Sequence, residues 1–433
     1  MTPEIKTRID QIRCGEVPEG YKRGKLGIVP CEWDEVPFST LFMSTSDYTD
    51  DLSTYPLYSL TIEDGVTAKT ERYERSHLVK KENSYKVIHP NAYAYNPMNI
   101  RFGAVARHKG DKPVAVSGYY DIFSTVYQGD LAFMDSFLTC GPMITYYNKV
   151  STGSLIEKQR VHFSDFMDFC LPLPSVDERA KIAGILTTQD KIIELKENRL
   201  AEKQRQKKYM MQQLLTGEKR ISGFSNAWRQ MMFSEAFTFM PTNTLSRENL
   251  CDDHGSALNI HYGDILTKYS EVLRVDATHI PYIKKTVEMP VSAYVKDGDL
   301  IIADTAEDYT VGKAVEIRSL GEMKVVSGLH TILCRPMKGI FAPGWLGYYI
   351  NSPSYHNQLI PLICGVKVCS ISKREIKKTI LTVPELKEQM AIVDIFAEID
   401  RELNLLKQDI IQERQKKKAL MQLLLTGIVR VKV

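Results

Sequence analysis

The feature that most constrains this chain is that it repeats itself. Residues 171–217, LPLPSVDERAKIAGILTTQDKIIELKENRLAEKQRQKKYMMQQLLTG, align without a gap on residues 381–427, LTVPELKEQMAIVDIFAEIDRELNLLKQDIIQERQKKKALMQLLLTG, at a shift of 210 residues. Fifteen of the 47 positions are identical, among them Pro174 with Pro384, Glu178 with Glu388, Asp190 with Asp400, and both Leu-Leu-Thr-Gly endings. Chance does not produce that, and a repeat decides architecture before any local signal does.

Both copies read as helix. In the second, Ile392, Ile395, Ile399, Leu403, Leu406, Ile410, Lys417, Leu420 and Leu424 fall three, four or seven apart, one stripe of a 3.6-residue helix. In the first, Ile182, Ile185, Gln189, Ile193, Lys196, Leu200, Lys203, Lys207, Met210 and Leu214 form a weaker stripe in the same phase. Pro174 and Pro384 precede the periodic runs, and Gly217 and Gly427 stop them. From Asp190 to Thr216 such a helix measures about 40 Å. A stripe this narrow does not hold a long helix alone in water, so two matching stripes predict an antiparallel pair, packed through Ile193, Leu200, Met210, Leu214, Leu403, Ile410, Leu420 and Leu424. The plainer alternative is that each helix caps only its neighbouring domain.

The stretches between are fainter echoes. Val116, Ser117 and Gly118 recur as Val326, Ser327 and Gly328 at the same shift, and Trp33 is echoed by Trp228 at a slightly different one. AYAYN, AVAVSGYY, GDLIIAD and KVVSGLHTILC read as short strands and turns. The expectation is an α+β chain: an N-terminal extension (1–24), two mixed α/β domains (25–172 and 221–380), and helical regions (173–217 and 381–433) that form an antiparallel coiled-coil spacer.

A chain of 433 residues is too long for one ordinary core. A net charge of +3 says little about nucleic acid, so a DNA binder of this balance must concentrate its cations on particular faces. Between Asp190 and Lys208 seven Lys or Arg face four acids, usually no more than a solvated helix face. No run reaches the roughly 18 apolar residues of a membrane span, and the charged opening MTPEIKTRIDQIRCGEV does not read as a secretory signal, which sets a cytoplasmic expectation.

Catalytic parts are missing from the sequence. The eight cysteines form no C-x-x-C pair, no H-E-x-x-H occurs, and His254 with His261 has only Cys251 and Asp252 as co-ligands, so no metal or other cofactor is expected. Asn96-Pro97-Met98 lacks the second proline and aromatic of an amino-methyltransferase N-P-P-aromatic segment. Neither a paired G-x-G loop, a phosphate-binding G-x-x-x-x-G-K-S/T loop nor G-x-S-x-G is present, and Asp304 and Glu316 are not set in the E-x-K pattern of a metal nuclease.

This layout resembles the specificity subunit of type I restriction-modification systems, over nearly the whole chain. GYKRGKLGIVPCEW at 20–33, LPLPSVDERAKI at 171–182, QQLLTGEKRISGF at 212–224 and VPELKEQMAIV at 383–393 carry the resemblance. Glu388-Gln389 matches the family's P-x-x-x-E-Q pattern, whereas Glu178-Arg179 departs from it at the second residue. Tyr95 to Met98 with Gly103 and Ala104, and Gly298-Asp299-Leu300, are similar to scaffold motifs of its two target-recognition domains. The resemblance implies a non-catalytic reader of a bipartite, asymmetric double-stranded DNA target. It also implies two modification (methyltransferase) subunits as partners, with restriction subunits beside them. Candidate DNA contacts are Arg101, Arg107, His108, Lys109 and Lys112 in the first domain and Lys313, Arg318, Lys324 and Lys367 in the second. Any one of them, taken singly, has the ordinary reading of a solvated surface residue. The competing classes are a methyltransferase or endonuclease with a diverged active site, and a helical scaffold that never touches DNA.

Overall fold

The computed structural model describes residues 2–69, 84–155, 158–288, 293–365 and 367–432. They form two compact units, Met1–Glu197 with Gln408–Val433, and Asn198–Lys407. Two helices of 39 residues, Val176–Leu214 and Leu386–Leu424, supply one half of themselves to each unit. The Ser175 hydroxyl accepts from the Glu178 amide at the start of the central helix, and Gly217 and Gly427, at φ of 76° and 69°, follow the ends. Left-handed backbone of this kind closes a helix at little cost only with glycine.

Within each unit the halves run antiparallel, tied by charge. In the first unit Lys196 reaches Asp409 and Glu413, both at 2.8 Å, Gln189 reaches Glu413 at 2.7 Å, and Arg414 reaches Glu197 at 2.6 Å. In the second, Lys203 meets Glu402 at 2.6 Å and Lys207 meets Asp400 at 2.7 Å. Ile193 and Ile410 are buried between polar partners of this kind. Leu420 and Leu424 pack into the core of the first unit, while Leu200, Met210, Leu214 and Leu403 pack into that of the second. The stripe on the central helix runs through Leu186, 1% exposed, where periodicity had pointed to Ile185, which is 38% exposed. Ile182, Leu186, Gln189 and Ile193 follow the 4-3-4 spacing that keeps a stripe on one side.

The first unit is built on an antiparallel sheet ordered Val105–Arg107, Tyr93–Tyr95, Asp121–Thr125, Phe42–Thr45. A second antiparallel sheet joins Val114–Ser117, Tyr85–Ile88 and Tyr48–Thr49. Aromatic rings fill the core: Phe38, Phe42, Tyr95, Phe123, Phe166 and Phe169 touch at centroid distances near 5 to 6 Å, the offset and edge contacts that aromatic pairs prefer.

The second unit carries a five-stranded mixed sheet ordered Phe237–Met240, Thr331–Pro336, Leu300–Ala303, Ala314–Arg318, Val272–Arg274, the last pair parallel. Leu300–Ala303, the apolar LIIA within GDLIIAD, is buried on both faces. Glu316 caps the helix Trp345–Ile350, accepting from the Gly344 and Gly347 amides, and burial pushes its carboxyl up to about 7. Among the described residues no helix is long and apolar enough to cross a membrane.

Candidate nucleic-acid interface

In the first unit the sheet register sets Arg107 opposite Tyr93, and both side chains converge on Asp135. Arg107 Nε and Nη2 donate to its two oxygens at 3.0 and 2.8 Å, and the Tyr93 hydroxyl donates at 2.8 Å. Lys109 Nζ stands 3.6 Å away on a side chain that is largely exposed. The hydrogen bond to Asp135 holds Arg107 above its ordinary range, while burial first, and Asp135 second, push the Tyr93 hydroxyl far upward. These residues line a cavity of about 340 Å³ with His108, Gly110, Thr139 and the Thr61–Val66 turn.

His108 is buried, and its Nε2 lies 2.8 Å from the Lys112 carbonyl. A carbonyl can only accept, so Nε2 carries a proton and donates to it. Lys112 is itself exposed. Arg101 stands apart from the cavity lining, half-buried, donating to Gln159 at 2.8 Å and lying over the Phe102 ring. The fold thus gathers Arg107, His108 and Lys109 at one cavity and engages Arg107 and His108 within the unit.

In the second unit Lys313 and Arg318 flank and end the strand Ala314–Arg318. Lys313 Nζ donates to the Leu266 carbonyl at 2.9 Å, and burial lowers its pKa against the pull of Glu271. Arg318 lies 3.8 Å from Asp297. Lys324 and Lys367 are exposed.

A cluster that the sequence did not single out lies around the turn between Val325–Ser327 and Thr331–Pro336. Gly328 is needed there, since a Cβ would stand 2.5 Å from Asn259 Nδ2 and 3.0 Å from the Ile260 carbonyl. Below it the Ser327 and Thr331 hydroxyls bond at 2.7 Å, and Asn243 donates to Asn259 and to the Ser327 carbonyl. His330 follows at φ 53°, its ring 5.3 Å from Tyr262 in an edge-on contact. Its Nδ1 is 3.2 Å from Thr305 Oγ1 and 3.5 Å from Asp304. Nearby, His261 caps a short helix through Nδ1, and burial, aided by Arg247, holds its pKa low. Arg247 and Lys268 both reach Asp264, which is 0% exposed, at 2.9 and 3.0 Å. Within KVVSGLHTILC the sequence showed strand and turn, but Tyr262 and Asp304 meet His330 only through the fold.

No family model matches the chain. Over 284 residues it is 23% identical to the type I restriction enzyme MjaVIII specificity subunit of Methanocaldococcus jannaschii, a match covering 62% of this chain and 64% of that protein, so less than two thirds of the relative is spanned. In fold it matches a chain from a study of complex assembly and conformational transition in a type I R-M system, with TM-score 0.56 and 14% identity, over 93% of this chain and 99% of that one. The HsdS subunit from Thermoanaerobacter tengcongensis matches at TM-score 0.44 and 15% identity, over 96% and 98% of the two chains. The sequence match is to a type I specificity subunit, and the structural match at TM-score 0.56 is one of fold.

Proposed function

We propose that this chain is the DNA-reading specificity subunit of a type I restriction-modification complex, itself without catalysis. The observation that carries the reading is the repeat at a shift of 210 residues, each copy enclosing a 39-residue helix that supplies one half to each of two α+β units. The sequence similarity to a type I specificity subunit and the shared fold support it. On this reading, residues 25–172 and 221–380 are duplicated target-recognition domains. Each reads one half of a bipartite, asymmetric double-stranded target in a cytoplasmic complex. The helical regions 173–217 and 381–433 space the half-sites and offer matched docking faces to two modification subunits, with restriction subunits joining them.

The candidate DNA contacts divide by their surroundings. Exposed Lys112, Lys324 and Lys367, and Lys109 exposed beside Asp135, suit phosphate, where a solvated cation is enough. Arg101, Arg107, His108, Lys313 and Arg318 are held by protein partners and suit shaping the reading surface. Methylome sequencing of cells carrying this chain with its modification partner tests the function. A bipartite motif with two different half-sites is expected, together with no methyl transfer by the purified chain alone. A continuous palindrome, or methylation by the isolated chain, overturns the reading.

A further inference from the structure

His330 occupies backbone that an L-residue enters only at a cost, at φ 53°. Glycine would hold this turn more cheaply, and histidine is only one of several side chains that tolerate it, so the turn alone does not call for an imidazole. What histidine adds is a ring held by three neighbours. Tyr262 sets its plane at 83° and 5.3 Å, and Thr305 and Asp304 stand at its Nδ1. The Thr305 hydroxyl donates to Asp304 at 2.8 Å, so its oxygen is an acceptor toward the ring. Nδ1 therefore carries the proton, and Nε2 is the atom left to a ligand on a side chain that is 47% exposed. The backbone clamps the same place, with the Asp304 amide donating to the His330 carbonyl at 3.1 Å.

We propose that His330, oriented by Asp304, Thr305 and Tyr262, reads a base edge in the half-site bound by the second unit. The inference rests on the DNA-reading function above. In the tautomer whose Nδ1 donates inward, Nε2 accepts, so its ligand class is an exocyclic amine, adenine N6 or cytosine N4, presented in the major groove. Phosphate is the poorer ligand here, since a carboxylate 3.5 Å from the ring repels it. Arg247 and Lys268, oriented by buried Asp264, lie in the same unit and serve the flanking backbone.

The test compares methylomes of cells carrying the native chain, His330→Asn and His330→Gly, each with the modification partner, alongside thermal melting of the purified chains. Loss of roughly 5- to 150-fold in discrimination at one base pair of one half-site is expected, with the other half-site and the gap unchanged. Melting should be the same or higher in the glycine variant, which supports a ring kept for recognition. An unaltered motif overturns the inference, and so does a uniform loss of methylation with a shallower salt dependence, which marks a phosphate contact. Unfolding of both variants makes the ring a structural staple and overturns it as well. If the native chain yields no bipartite motif, the DNA-reading function itself has failed, an outcome distinct from a native motif that the variants leave intact.

Discussion

At the start of the central helix Glu178 accepts from Arg430 Nε and Nη2 at 2.7 and 2.9 Å, and at the start of the C-terminal helix Glu388 accepts from Arg220 Nε and Nη2 at 2.6 and 2.7 Å. Both carboxylates are 1% exposed, and both arginines stand three residues after a Leu-Leu-Thr-Gly ending. The next residue differs. Arg179 forms a buried bidentate pair with Asp130 and also donates to the Pro174 carbonyl. Among the described residues the Gln389 side chain bonds backbone: the Ala342 amide and the Ile340 and Pro384 carbonyls. The two starts share a side-chain reach back to a proline carbonyl and differ in whether the unit must supply a countercharge. A buried position can be satisfied by either chemistry, but only the charged one commits a second residue far away in sequence.

The largest expected effect breaks this difference. Arg179→Gln, which writes the second helix start into the first, strands the Asp130 carboxylate and should cost about 3–5 kcal/mol in urea unfolding of the full chain. Adding Asp130→Ala should restore most of that loss, since no buried charge then remains. Gln389→Ala should cost only about 1–3 kcal/mol, because the groups it abandons are neutral. Equal losses for the two single variants would show that the charge is not what distinguishes the starts.

The helix starts also mark how far sequence carries. The copies, their proline and glycine limits and the phase of the second stripe were legible, because helical period and chain punctuation are local. The departure at Arg179 was visible, yet its compensation by Asp130 was not, since a countercharge 49 residues away leaves no pattern. Lys196, Lys203 and Lys207 read as weak stripe positions, and the structure turns them into cross-helix ion pairs. Of the candidate interface, residue types were legible and surroundings were not. Arg107 looked like any loop cation until the fold set it against Asp135, and His330 was passed over because its partners come from other segments.

A second contrast lies just past the helix ends. A Cβ at Gly427 would meet Pro30 at 2.5 Å and Trp33 at 2.9 Å, whereas one at Gly217 would meet the Trp228 ring at an ordinary 3.5 Å. Gly217→Ala should therefore lose about 1–2 kcal/mol from its left-handed backbone alone. Gly427→Ala should lose about 1–3 kcal/mol more through overpacking. Differential scanning calorimetry ranks the two, and the reverse order would break the comparison.

Acid tests the ion pairs of the first unit's helix halves. Hydrogen bonds from Lys196 first, and Gln189 next, hold the Glu413 carboxyl of the first unit at about 2, against an ordinary 4.5. A carboxyl depressed in the folded state contributes fully above its unfolded value, and the contribution disappears as pH falls through the folded one. The first unit's helix pair should thus weaken between pH 4.5 and about 2, and Glu413→Gln should flatten that limb of a stability titration. An unchanged acid limb in the variant would remove Glu413 from the account.

The smallest effect concerns the two tryptophans beside these glycines. Trp33 Nε1 donates to Glu178 at a long 3.4 Å, while Trp228 Nε1 is buried without a hydrogen-bond partner among the described residues and its ring lies under Arg220 instead. Trp33→Phe gives up a weak bond to a carboxylate that keeps Arg430, so about 0.5–1.5 kcal/mol should be lost beyond the change in ring size. Trp228→Phe removes a donor whose burial is uncompensated, which offsets the smaller ring and leaves stability nearly unchanged. Paired urea melts should show the Trp33 variant as the less stable. If the Trp228 variant is instead the weaker, the cation lying over its ring matters more than the unpaired N–H costs, and the second unit's brace depends on the aromatic face where the first depends on the carboxylate.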